Sequence, residues 1–158
     1  MISTFITIKP HLAEYAQVVF AVEGENYIQI PHNHDLYHII ANFMQKRPEN
    51  CPILDGNLQI ALPARSRGKD ALTYNYISLR AAEIIGDKLE CLFWAHAHSF
   101  IDDLHHLQGE QMNNAAYMFM NKFKIKSISE DAIVKNYYRW RSNVRKKRRK
   151  RGYTIIDK

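Results

Sequence analysis

Two sets of side chains in this sequence have the types and spacing to do chemistry. The first is the run from Arg139 to Arg151, which holds nine basic residues and no acid. Residues 1–138 carry 12 Lys and Arg against 15 Asp and Glu, so they are net −3, and the overall charge of +6 is therefore a local feature of the run. A block of like charges repels itself and calls for an anionic partner. On a helix starting near Ser127 or Ser129, Lys135, Asn136, Arg139, Ser142, Asn143 and Lys146 occupy the polar face, and Arg145 is a further candidate for binding. Lys146, Lys147, Arg148, Arg149, Lys150 and Arg151 extend it as a basic arm. Cations of this kind hold phosphates, while Asn and Arg can each make two hydrogen bonds to a base edge in a major groove. The expected partner is nucleic acid, specifically double-stranded DNA. A solvated tail, an address signal and a membrane-surface patch are the plainer readings of the same charges.

The second set is the histidines, eight in all. His96 and His98 form a His-Ala-His pattern which, on a strand, would hold a divalent metal while Tyr117, Tyr137 or Tyr138 attacked a phosphodiester, as in HUH nickases. A strand directs residues two apart to one side, whereas a helix sends them roughly 200° apart. The surrounding apolar spacing is helical, and in that frame His98, Asp102 and His105 or His106 fall on one face. His34 and His38 stand four apart, but no glutamate follows the first as a metalloprotease motif requires. The expectation is no catalytic residue, no metal and no cofactor. Trp94 and Trp140 are read as core anchors, with the alternative that Trp140, Tyr137 and Tyr138 stack on unpaired bases.

These residues must be positioned by a chain of 158 residues, 46% hydrophobic, enough for one core or one core and a small module. No apolar run approaches the roughly 20 residues that span a bilayer, and Met1 to Ile8 has neither a charged leader nor a long apolar stretch. No membrane partner and a cytoplasmic location are the expectation. Cys51 and Cys91 lack the spacing of a zinc site or a disulfide scaffold, and there is no Gly-rich phosphate loop. Short strands are expected at Thr4 to Lys9, Tyr27 to Ile30 and Asn57 to Leu62, with helices over His11 to Val22 and Asp35 to Lys46. Arg65, Arg67 and Lys69, in a Gly-containing loop, are secondary phosphate candidates. From Leu72 a line of Ile77, Ala81, Ile85, Leu89, Leu92, His96, Phe100, Leu104 and Leu107 predicts one long helix or two in line, and Met112 to Phe123 another. The last helix, with Ile133, Tyr137, Trp140 or Arg141, and Val144 inward, opens on a capping box of Ser127 and Glu130.

The fold class is thus α+β and mainly helical: residues 1–70 a small mixed region, residues 71–151 a helical region ending in a three-helix, helix-turn-helix-like unit and basic arm, and residues 152–158 a short end. Asp131 to Arg145 would be the recognition helix. The patterns I-K-P-H-L-A-E-Y at Ile8 to Tyr15, D-G-N-L-Q-I-A-L-P at Asp55 to Pro63 and K-N-Y-Y-R-W-R at Lys135 to Arg141 resemble an uncharacterised family of small proteins carried by phages and mobile elements. The resemblance implies a mobile-element context and no catalytic residues. The layout is also similar to that of phage middle-gene activators. The functional expectation is a sequence-specific DNA-binding regulator, with a homodimer left open. The alternatives are a metal-dependent nickase or transposase using His96 and His98, and a structural protein that neutralises packaged nucleic acid.

Overall fold

The structure, a computed structural model, describes the backbone of residues 1–51, 55–66 and 68–153, and the side chains of these except residues 65, 66 and 150–153. The protein is α+β. In chain order the elements are β1 (Ser3–Ile6), α1 (Pro10–Val19), α2 (Asp35–Phe43), β2 (Leu58–Ala61), β3 (Arg65–Ser66), β4 (Lys69–Asp70), α3 (Leu79–Gln108), α4 (Met112–Lys122) and α5 (Glu130–Tyr153). They form two compact units, residues 1–94 with 123–125, and residues 95–122 with those from 126 onward. The division falls within α3.

In the first unit β1 and β2 pair antiparallel, with Ser3 opposite Ala61 and Ile6 opposite Leu58. Alternation along both strands turns Ile6, Leu58 and Ile60 into a core shared with Leu36, Ile40 and Met44 near α2, and with Ile85 and Leu89 on α3. The strand expected at Tyr27 to Ile30 contracts to single bridges at Ile28, whose amide donates to Gln59 and whose carbonyl accepts from Ala61. Pro31 has no amide with which to extend the ladder. Pro10 stands at the first position of α1, where its fixed φ suits a helix start and its missing donor costs nothing. Leu12, Tyr15 and Ala16 on α1 are buried, and the edge of Tyr15 meets Phe93 at 5.3 Å.

Two expectations about helix starts are corrected. The long helix begins at Leu79, not Leu72, because Asp70 organises a turn: its carboxylate accepts from the Leu72 amide at 3.1 Å and its carbonyl from Thr73 and Tyr74. Such local side-chain bonding competes with helix formation. Leu72 is left exposed, and Ser78, accepting from Ala81 at 3.3 Å, starts α3 instead. Along α3 the buried residues run Ala81, Ile85, Leu89, Phe93, Ala97 and Ile101, leaving the expected line of Leu92, His96 and Phe100 half-buried and Leu107 exposed. Steps of four overrun the 3.6-residue turn by about 40° each, so the buried line departs from one that mixes threes and fours. In α5 the cap is Ser129, whose hydroxyl accepts from Ala132 at 3.2 Å, so Glu130 and Asp131 occupy the first turn and the expected Ser127–Glu130 box is not the cap.

The second unit has its own core of Ala97, Ile101 and Leu104 from α3, Ala115, Ala116 and Phe119 from α4, and Ile133, Val134 and Tyr137 from α5. Gly109, at φ 73°, closes α3 in the left-handed conformation favoured for glycine after a helix end.

Gly56 sits where a Cβ would collide with the carbonyl of Ile6, so β1 can lie beside this turn only if the residue has no side chain. Gly56→Ala is expected to cost about 1–3 kcal/mol, read as a lower urea midpoint with unchanged slope.

Candidate nucleic-acid interface

Formation of α5 is a compromise between one apolar stripe and a dense positive charge. Its first half supplies Ile133, Val134 and Tyr137, all buried, while Lys135, Arg139, Ser142, Asn143, Arg145, Lys146, Lys147, Arg148 and Arg149 are exposed. The helix runs unbroken through the segment expected to be a separate arm, so Lys146 to Arg151 continue α5 at helical spacing. Of Lys150 and Arg151 only the backbone is described. The Lys135 ammonium pairs with the Asp131 carboxylate at 2.6 Å, both well exposed, a surface pair worth at most about 1 kcal/mol. Among the described residues, no carboxylate lies within ion-pair distance of Arg139, Arg145, Lys146, Lys147, Arg148 or Arg149.

One expected base-reading residue is already engaged. The Asn136 carboxamide oxygen lies 2.8 Å from Nε2 of His98, and Asn136 is half-buried. With the carboxamide oriented this way, the imidazole carries its proton on Nε2 and donates. The other face of this arrangement is Trp140, whose indole stacks on His98 with ring centres 4.6 Å apart and an interplanar angle of 18°. Trp140 is 36% exposed, so it is a partly wet ring laid over His98 rather than the core anchor expected. The half-buried Trp94 likewise yields the anchor role to its neighbour Phe93, which is fully buried.

Beneath the basic face runs a polar chain that sequence reasoning missed. The buried Tyr137 hydroxyl donates to Asp102 Oδ1 at 2.5 Å and accepts from Arg141 Nη1 at 3.2 Å. His106 Nε2 approaches the same carboxylate oxygen at 3.5 Å. Burial first, and the Asp102 carboxylate second, push the Tyr137 phenol up to about 12, so it remains a donor at all physiological pH. Asp102 with His106, and Tyr137 with Arg141, are each four apart on a helix, and that spacing is the only trace of the network in the sequence.

The other candidates are dispersed. Leu92 to Phe100 lies within α3, so His96 and His98 diverge: His96 meets the edge of Phe119 at 5.9 Å while His98 faces Asn136. That geometry removes the strand on which the nickase reading depended. His105 binds the Glu110 carbonyl through Nδ1 at 2.8 Å. His34 caps α2, accepting from the Leu36 amide through Nδ1 at 3.1 Å, so one of its two ring nitrogens serves the helix start. Among the described residues, no three His, Cys, Asp or Glu side chains gather as a metal would require. Lys69, a secondary phosphate candidate, turns inward: its ammonium donates to the carbonyls of Asn42 at 2.6 Å and Met44 at 2.8 Å, closing the negative end of α2. Arg67 lies outside the described residues. Cys51 and Cys91 are free thiols, and among the described residues no helix is long and apolar enough to cross a membrane.

Tyr137→Phe keeps the ring but strips Asp102 and Arg141 of their shared partner, and is expected to cost about 1–3 kcal/mol in chemical denaturation. Burial lowers the pKa of His98, of His96 and of His11, whose Nε2 is buried without a hydrogen-bond partner among the described residues. Below the ordinary histidine range the unfolded chain therefore binds protons that the folded rings refuse, so stability is full above about pH 6.5 and falls as the pH drops toward 5. Melting temperatures across that range should show the decline, and His98→Gln, which cannot titrate but can donate to Asn136, should make it shallower.

Compared with known proteins, the chain matches no family model, no curated protein and no solved structure.

Proposed function

We propose that this chain is a sequence-specific double-stranded DNA-binding protein, a regulator of a phage or mobile element acting in the cytoplasm, with α5 as its recognition helix. The observation that carries the reading is the row of exposed cations on one continuous helix, from Arg139 through Arg149, without acidic partners among the described residues. A straight helix about 10–12 Å across fits a B-DNA major groove about 12 Å wide. The succession of the second half of α3, α4 and α5, with short connections, supports a helix-turn-helix arrangement in which the last helix enters the groove. The three motifs that resemble small phage and mobile-element proteins support the biological context.

On this reading Arg139 and Asn143, exposed and four apart, read bases: a guanidinium can pair with guanine and a carboxamide with adenine. Asn136 orients the helix through His98 instead. The cations from Arg145 to Arg149 grip phosphates, with Lys150 and Arg151 continuing the same run.

Two measurements test the reading. With about six phosphate contacts, log affinity should fall against log salt with a slope near −5, and each alanine among Lys146 to Arg149 should flatten it by roughly one unit. A slope near zero would overturn the electrostatic interface. Selection from random duplexes should return an enriched motif, on which Arg139→Ala and Asn143→Ala each lose about 1–3 kcal/mol while binding random duplex nearly as the parent does. If no motif is enriched and both variants bind every duplex alike, the regulator reading fails and a charge-neutralising role replaces it.

A further inference from the structure

The second unit carries a groove of about 240 Å³ along the side of α5, lined by Asp102 and His106 from α3 and by Trp140, Arg141, Arg145 and Arg148 from α5. Trp140, Arg141, Arg145 and Arg148 recur at spacings of one, four and three, which places an aromatic plane and three guanidinium groups along one strip of the helix. Two of these guanidinium groups, those of Arg145 and Arg148, have no carboxylate partner among the described residues, whereas Arg141 is held by the Tyr137 hydroxyl and lies over its ring at 5.9 Å. Asp102 contributes the one negative charge, and its Oδ1 is already committed to Tyr137 and faced by His106. The groove is therefore net positive and has an aromatic wall.

Trp140 is fixed as well as accessible. His98 covers part of its ring in a near-parallel stack, and His98 is itself held by Asn136, so the indole plane is set by two packed neighbours before any ligand arrives. An aromatic side chain exposed beside guanidinium groups matches what an unpaired nucleotide presents, a flat base and a phosphate a few ångströms away. A base pair within a duplex cannot use this surface, because its faces are already stacked on its neighbours.

We propose that this groove takes one unpaired nucleotide of the bound nucleic acid, the base stacking on Trp140 and the adjoining phosphate held by Arg145 and Arg148. The inference rests on the reading of α5 as the DNA-binding helix and adds a preference for duplex that ends in, or contains, an unpaired base. Binding needs no chemical step, and the Tyr137 phenol, bonded to Asp102 and buried, stays out of contact with the ligand.

The test compares three probes at one salt concentration with the full chain: a blunt duplex, the same duplex with a three-nucleotide overhang, and the same overhang built of abasic sites, which keeps the phosphates and removes the bases. The base-bearing overhang is expected to bind roughly 5- to 100-fold tighter than the abasic one. Trp140→Leu should reduce that ratio to near one, and Trp140→Phe, which restores a flat ring, should recover most of it. Equal affinity for the base-bearing and abasic overhangs, with blunt duplex still bound in a salt-dependent way, would overturn the nucleotide site and leave the α5 reading standing. Failure to bind any of the three would overturn both.

Discussion

A helix with nine cations in thirteen residues has no reason to persist in water on its own, and the burial of one tyrosine is what the second unit builds around it. Tyr137 is fully buried among Ile133, Val134 and the neighbouring helices, yet its hydroxyl is satisfied by Asp102 and by Arg141. The apolar ring supplies the packing, and the polar end draws one arginine of the basic run inward to the hydroxyl that also binds Asp102. A buried hydroxyl without such partners would cost more than the hydrogen bond returns. The same contact fixes the rotation of α5, and so decides which of its cations face solvent.

Rotation has consequences one turn away in either direction. Asn136, one position before Tyr137, is brought to His98, and Trp140, three after it, is laid across the same imidazole. Arg139, Ser142 and Asn143 are turned outward, and Arg145 and Arg148 flank the groove beside Trp140. The helix is thereby divided into a buried line, a line of polar side chains engaged with α3, and an exposed cationic face. Ser129, Glu130 and Asp131 at its start complement the positive end of the dipole, and Lys135 pairs back to Asp131. The acidic N-terminal turn offsets part of the repulsion that the distal cations create.

The first unit works by different means. Its small sheet is closed by Gly56 against the Ile6 carbonyl, and its helices are finished by groups distant in sequence. Lys69 reaches the last carbonyls of α2 from 25 to 28 positions away, and the Lys9 ammonium meets Glu90 at 2.5 Å across 81 positions.

The sequence by itself determined the quantities that depend on local spacing and composition. Helical periodicity located the described helices to within a few residues, apart from the early start at Leu72 and the end of α5, expected at Arg145 and found at Tyr153, and alternating apolar residues located β1 and β2, because side-chain period and capping chemistry act between near neighbours. The charge segregation behind the candidate interface was legible in the same way, since counting Lys and Arg needs no coordinates. Only the tertiary structure decided which side chains were already spent. Asn136, a residue fit to read adenine, is bonded to His98, and Lys69, fit to hold a phosphate, closes a helix end. Trp140 was expected inside and lies at the surface of a groove whose opposite wall, Asp102 and His106, stands 38 and 34 positions before it. The physical reason is common to all three: a polar or amphipathic side chain settles against whatever partner packing brings to it, and that partner is set by long-range contacts that spacing along one helix does not encode.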